Sequence, residues 1–297
     1  MVAWTGGDSP SVLKNSAVPI SKFQSDVLRL LAAQRSPDSY IAGGIAINRQ
    51  GPRFSRDIDI FHDSVDRQET AVMADEAALA AAGYTLTWPP TQRTGKHEVT
   101  IEKDSERMQL EWVTDSAFRF FPTQPDELFG YVLHPVDLAT NKASAAADRR
   151  VPRDVVDLVT IHENILPLGA VVAAAVGKFP GTTPEEMLAE ITRHSRFTVE
   201  EFQALATEQP IDMRGLHRRI RGMIEHAEGF IAKLPSDAVG VIFMDGNKPV
   251  QPDLAALGRY QRNPGAPSGL WPSSPDTMHA MVERAAGGHT SGGGLPA

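Results

Sequence analysis

The chain contains no cysteine. That absence removes disulfides, thiolate nucleophiles and sulfur-ligated metal sites, so any metal must rest on carboxylate, imidazole or water. Long apolar runs are missing as well. The greasiest stretch, Ile165 to Val176, contains Pro167 and Gly169 and falls short of the roughly 18 residues that a membrane-spanning helix needs. The N-terminus carries no basic-then-apolar leader pattern. A cytoplasmic chain with no membrane partner is the expectation. There is no excess of positive charge either. A net charge of −8 over 297 residues argues against a basic coat for indiscriminate nucleic-acid binding, yet leaves room for a local basic track. No internal repeat is visible.

What is present is a core-forming apolar content of 41%, enough for one large or two modest domains. The most informative stretch runs from Gly43-Gly44 to Phe54–Phe61, which reads FSRDIDIF. Ile58, Ile60 and Phe61 favour a strand, and alternation along a strand puts Asp57 and Asp59 on one face. Two carboxylates that close repel one another unless a cation sits between them, which suggests a divalent metal, Mg²⁺ before others. Gly43 and Gly44 follow Tyr40-Ile41-Ala42 and precede a short helical stretch. Lacking a β-carbon, they let backbone amides approach an anion. Ser55 shares the strand parity of Asp57 and Asp59, so a phosphate would meet amides and a hydroxyl on one side and metal on the other. The plainer reading of the same residues is a solvated aspartate pair beside an ordinary glycine turn.

This layout resembles the DNA polymerase β-like nucleotidyltransferase fold, with its Gly-Gly helix start, Asp-x-Asp strand and third carboxylate on a later strand. His97–Lys103 and Arg107–Val113 alternate and read as a hairpin across Asp104-Ser105-Glu106. Met108, Leu110 and Trp112 share one face of the second strand; Gln109, Glu111 and Val113 share the other. Glu111 is therefore the candidate third carboxylate, with Glu98 and Glu102 as rivals. Other elements follow from spacing and caps. A helix over Ile20–Gln34 is capped by Ser21, another runs from Val65 to about Ala82 behind Ser64 and ends at Gly83, and Tyr84–Trp88 is strand-like.

Helices are expected from Pro135 to about Asp148 and from Pro152 to about Asn164. The stretch LATNKASAAADRRVPRDVVDL, Leu138 to Leu158, resembles the AbiEii-type nucleotidyltransferases, toxins of abortive-infection and toxin–antitoxin systems. Their first helix typically reads Lys-Leu-x-Ala; this chain has Lys142-Ala143-Ser144-Ala145. The resemblance covers about residues 40–165. It implies phosphate-side roles for Gly43 and Gly44, a phosphate contact by Ser55, and metal ligation by Asp57 and Asp59 with Glu111. It also implies charge neutralisation on the triphosphate by Lys142 and an acidic motif at Asp154 and Asp157, and the sequence alone does not say which of the two faces the site. Helical spacing puts Arg150, Asp154 and Asp157 on one face and allows an Arg153–Asp157 pair at i,i+4.

Beyond residue 165 the pattern is helical. Pro184–His194 carries Met187, Leu188 and Ile191, and Thr198 with Glu201 forms a capping-box signature. A helix from Asp212 toward Lys233 lines up Arg214, His217, Arg218 and Arg221 on one face, the best track for an RNA backbone, or else a solvated face. Val239–Met244 with Asp245-Gly246-Asn247 reads as a strand and turn. The expected organisation is α/β (α+β): a nucleotidyltransferase core with a small mixed sheet over 20–132, a helical region over 133–259, and a Pro/Gly-rich tail over 260–297. Residues 1–19 read as an irregular lead-in and Gly287–Ala297 as mobile. The expected activity is Mg²⁺-dependent transfer from an NTP to RNA, for instance a tRNA 3′ end, by a toxin with a cognate antitoxin. A small-molecule or protein acceptor, or a catalytically lapsed nucleotide- or partner-binding module, are the alternatives.

Overall fold

The computed structural model describes residues 20–269 apart from 50 and 52. The lead-in over 1–19 and the Gly287–Ala297 stretch lie outside the described residues. The elements are α1 (Lys22–Ala32), β1 (Ser39–Ala42), α2 (Gly43–Ile47), β2 (Asp57–His62), α3 (Val65–Ala81), β3 (Thr85–Thr87), β4 (Lys96–Lys103), β5 (Glu106–Thr114), β6 (Phe118–Arg119), β7 (Gln124–Asp126) and β8 (Gly130–Val132). They continue with α4 (Pro135–Asp148), α5 (Pro152–Asn164), α6 (Leu168–Lys178), α7 (Pro184–His194), α8 (Val199–Gln203), α9 (Met213–Ile231), β9 (Ile242–Asp245), β10 (Lys248–Val250), β11 (Gln261–Asn263) and β12 (Ala266–Pro267).

A seven-stranded mixed sheet, ordered β3-β4-β5-β2-β1-β8-β7, carries the site. β2 is antiparallel to β1 and parallel to β5, in a register that sets Asp59 beside Glu111. Ile58 and Ile60 are fully buried and belong to the apolar cluster that also holds Val27 and Leu31 of α1 and Leu79 of α3. The alternate residues Asp57, Asp59 and Phe61 are half-buried. They therefore face away from that cluster, as a period of two requires. Tyr40 and Ala42 of β1 join a second core built from α4 to α9. The acidic face of the sheet thus looks toward the helical part of the chain.

Local chemistry explains the element ends. Ser21 with Gln24, Thr183 with Glu186 and Thr198 with Glu201 each close a reciprocal capping box, satisfying otherwise orphaned helix-start amides. Pro135 and Pro152 open α4 and α5, where a missing N–H costs nothing. The hairpin between β4 and β5 turns on Asp104 and Ser105 alone, both at positive φ, and Glu106 pairs with Lys103. Two positive-φ residues match the right-handed twist of the strands, so Glu106 belongs to the strand rather than to the expected turn. Among the described residues no single helix is long and apolar enough to cross a membrane.

The region after residue 133 holds more than helices. β9 pairs with β10 and β11, and β12 pairs with β6. The first ten residues of the expected tail are therefore folded as far as Gly269, with Asn263 donating its amide to the Phe120 carbonyl at 2.8 Å. Gly265 and Gly269 at positive φ supply the bends. The glycine density that read as a tail is turn chemistry between paired strands.

Arg35 and Asp75 are fully buried and doubly paired at 2.5 and 2.6 Å, and the Trp112 indole donates to the same carboxylate at 2.8 Å. Burial alone would raise the Asp75 carboxyl, and Arg35 and Trp112 offset only part of that. Replacing one partner strands the other charge. Asp75→Leu is expected to lower unfolding free energy by about 3–5 kcal/mol in urea titration. The double variant Arg35→Met/Asp75→Leu should regain most of the loss, leaving the cost of an unpartnered Trp112 N–H.

Candidate active site

Gly43 ends β1 at φ +68 and opens α2. A β-carbon placed there would lie 1.7 Å from Asp59 Oδ2. The glycine is therefore the surface on which the Asp59 carboxylate rests. Gly44 is equally constrained from the other side, since a β-carbon would come within 2.7 Å of Arg53 Nη2 and 2.9 Å of Ser55 Oγ. Ser55 precedes β2 rather than lying in it, and Gln24 fixes its carbonyl at 2.7 Å. Gly43, Gly44, Ser55 and Asp59 are brought into one neighbourhood.

The carboxylates crowd one another. Burial pushes the Asp59 carboxyl up to about 6, and Glu111 and Asp57 push it in the same direction, against the pull of Lys142 and Arg153. Both neighbours are already met by protein cations: Glu111 takes Lys96 at 2.9 Å, with Glu98 at 3.6 Å from the same ammonium, and Asp57 takes Arg153 at 3.4 Å. Glu98 lies opposite Glu111 in the β4–β5 ladder, whereas Glu102 sits at the far end opposite Arg107. Among the described residues no three His, Cys, Asp or Glu side chains converge as a ready ligand set. Asp57 and Asp59 offer a hard, all-oxygen pair suited to a divalent cation, and Glu111 stands beside Asp59 on the neighbouring strand.

Behind the pair lies a run of alternating charges. Arg53 grips Asp157 at two points, Nε–Oδ1 at 3.0 Å and Nη2–Oδ2 at 2.9 Å. Lys142 bridges Asp157 Oδ2 at 3.1 Å and Asp154 Oδ1 at 2.7 Å. Arg149 closes the run on Asp154 Oδ2 at 2.8 Å, and Asn48 adds its amide to Asp157 Oδ1 at 2.8 Å. Burial alone would raise the Asp154 carboxyl, but Lys142 and Arg149 outweigh it and hold it below the usual range. Both acidic-motif aspartates thus face Lys142.

Two sequence expectations are corrected here. Arg150 is not on the α5 face with Asp154 and Asp157; it precedes the helix and grips Glu201 at 2.7 and 2.9 Å. Arg153 does not pair with Asp157 at i,i+4, because Asp157 is turned inward onto Arg53 and Lys142, leaving Arg153 to reach Asp57. Arg150 falls outside the helix, which starts at Pro152, and for Asp157 the buried tertiary partners override the spacing of an isolated helix. Arg53, Asn48 and Lys96 had no sequence signal beyond proximity to the motifs. Arg214, His217, Arg218 and Arg221 are all exposed on α9, and the three arginines make no ion pair among the described residues.

Acidic strand, glycine turn and buried lysine together define a nucleotidyltransferase fold. A family model described as the nucleotidyl transferase AbiEii toxin, of Type IV toxin–antitoxin systems, matches residues 28–233, more than half of the chain, and the chain belongs to that family. It is a nucleotidyltransferase of a toxin–antitoxin family, in which an NTP substrate and a cognate antitoxin are implied. MenT4, a nucleotidyltransferase toxin from Mycobacterium tuberculosis H37Rv, superposes with a TM-score of 0.51 at 16% identity over 73% of this chain and 84% of its own, which shows the shared fold. A crystal structure from H. pylori, provisionally described as a nucleotidyltransferase, gives a TM-score of 0.44 at 16% identity over 75% of this chain and 99% of its own. No curated protein sequence matches the chain.

Two outcomes follow from this geometry. Gly43→Ala forces a β-carbon into the Asp59 carboxylate at an unfavourable φ, and is expected to cut transfer by about 10²-fold while circular dichroism stays native; wild-type transfer would remove Gly43 from the site. Asp59 binds its proton more tightly folded than unfolded, so its contribution to stability is full below about pH 4 and lost as pH rises through about 6. In metal-free buffer Asp59→Asn is therefore expected to unfold at higher denaturant than wild type at pH 7.5, with that advantage gone at pH 4. A pH-independent difference would contradict the crowding of the three carboxylates.

Proposed function

We propose that this AbiEii-family protein transfers a nucleotide from an NTP to an RNA acceptor, a tRNA 3′ end being the leading example, at the Asp57/Asp59 face of β2. The observation that carries this reading is the meeting of opposite charges across a glycine turn: a crowded carboxylate pair on one side, and Lys142 held by Asp154 and Asp157 on the other. Mg²⁺ held by Asp57 and Asp59, with Glu111 adjoining, would supply Lewis-acid charge to the triphosphate and to the acceptor hydroxyl. The bare α-carbons of Gly43 and Gly44 let Asp59, Arg53 and Ser55 close on the turn, so that backbone amides at the start of α2 and the Ser55 hydroxyl would be the donors offered to phosphate oxygens. Lys142 sets a fixed positive charge beside the transferring phosphate. Its two aspartates hold it in place, so little reorganisation is needed as charge develops. Arg149 and Arg153 add positive charge at the rim.

The RNA acceptor is supported by α9. Phe54 just before the Asp strand donates to the Ala206 carbonyl at 2.9 Å, and Arg53 bridges Thr207. The segment touching the site therefore leads within a few residues to Arg214 and the exposed stripe continued by His217, Arg218 and Arg221. A protein of net charge −8 needs such a local track to hold a polyanion.

The test is incubation of the protein with each labelled NTP, Mg²⁺ and total RNA, beside Asp57→Ala. Label transferred to RNA by wild type alone is expected; label on protein or small molecules instead would move the acceptor to those classes. For the track, Arg214, Arg218 and Arg221 replaced together by Gln should flatten the log–log dependence of RNA affinity on salt by about two units, at about 0.7 per single-strand phosphate contact. NTP affinity serves as the internal control. An unchanged slope would make the stripe a merely solvated face.

A further inference from the structure

The alternating charge run has one member with no role in the chemistry described above. Arg53 is buried, with a side chain only 4% exposed, and its bonds all go to protein groups. It also has no structural need to be an arginine unless its fork is used. All three nitrogens of the fork are used: Nε and Nη2 hold both oxygens of Asp157, Nη1 donates to the Phe54 carbonyl at 3.0 Å, and Nη2 lies 2.7 Å from where a Gly44 β-carbon would sit. Asp157 spends its Oδ2 jointly on Arg53 and Lys142. Its Oδ1 is shared between Arg53 and Asn48, and Asn48 also donates to the Gly44 carbonyl at 3.0 Å. One carboxylate therefore ties α5, the Lys142 ammonium on α4 and the glycine turn together, and Arg53 sets the plane of that carboxylate.

We infer that Arg53 is a positioning residue for nucleotidyl transfer: it acts through Asp157 to fix the Lys142 ammonium relative to the Gly43-Gly44 turn. The inference rests on the reading of Lys142 as the cation beside the transferring phosphate. A planar, two-point grip orients a carboxylate, whereas a lysine at the same place supplies charge without orientation. Arg53→Lys keeps the buried charge balanced and removes only the orienting fork, which separates positioning from simple neutralisation.

The experiment is a double-mutant cycle in single-turnover transfer, using wild type, Arg53→Lys, Lys142→Ala and the double variant, each shown folded by thermal melting, with labelled NTP as the probe. Loss of orientation is expected to lower the maximal rate of Arg53→Lys by about 10- to 100-fold, with the KM for NTP changed less than about twofold because ground-state binding does not use the fork. In the Lys142→Ala background the same substitution is expected to cost less than about twofold, since there is no ammonium left to position. An equal loss in both backgrounds, with Lys142→Ala itself slow, would overturn the inference and leave the role of Lys142 standing. A Lys142→Ala protein as fast as wild type would instead overturn the Lys142 reading and this inference with it. If Arg53→Lys melts below the assay temperature, Asn48→Ala replaces it in the cycle. That variant loosens the same Asp157 oxygen without stranding a charge, and independence from Lys142 would again overturn the proposal.

Discussion

Taking charges out of water is the constraint on which this molecule turns. Arg53, Asp157, Lys142 and Asp154 are all buried, and none would be tolerated there alone. They are tolerated because each neighbour has the opposite sign, from Arg53 ahead of β2 to Arg149 between α4 and α5. The run spans segments a hundred residues apart in sequence. It therefore fixes how the acidic face of the sheet meets the helical region, and it does so with directional bonds that apolar packing lacks.

The same electrostatics shapes the open side of the site. Asp57, Asp59 and Glu111 repel one another, and Arg153 and Lys96 set positive charge against Asp57 and Glu111. Arg153 and Lys96 are partly exposed, as is Arg149 at the outer end of the inner run, while Arg53 and Lys142 are buried. On the proposed reading, exchangeable partners lie where substrate and metal would arrive, and fixed partners lie where orientation has to be preserved. Gly43 and Gly44 occupy the seam, each with a functional side chain where its β-carbon would be.

Much of this could be read from the chain, for reasons that are local. Pro135 and Pro152 announce helix starts, capping boxes announce others, and a period of two puts Asp57 and Asp59 on one face whatever the rest of the sheet does. Glu111 could be assigned a face by the same alternation, but not a neighbour. Its place beside Asp59 depends on β5 joining β2 in parallel across the intervening α3, β3 and β4, which is a non-local pairing. Burial was the other blind spot. Nothing near Arg53 distinguishes a buried fork from a surface arginine, and the pairing of Arg153 with Asp57 or Arg150 with Glu201 is decided by tertiary approach. The strands at Gln261–Asn263 and Ala266–Pro267 were hidden for a related cause: turn-forming glycines look the same in a tail and between short paired strands.

Family membership fixes nucleotidyl transfer as the chemistry, and the acceptor is a property of surfaces around the site rather than of the fold. On the proposed reading the β2 aspartates form the cation-dependent half of the site while Lys142 forms its fixed half. Titration of metal-free protein with Mn²⁺, followed by the loss of free-ion paramagnetic resonance signal, probes that division. Saturable binding is expected for wild type and for Lys142→Ala, with binding lost in Asp57→Ala/Asp59→Ala. Equal Mn²⁺ binding by the wild type and the double aspartate variant would contradict it.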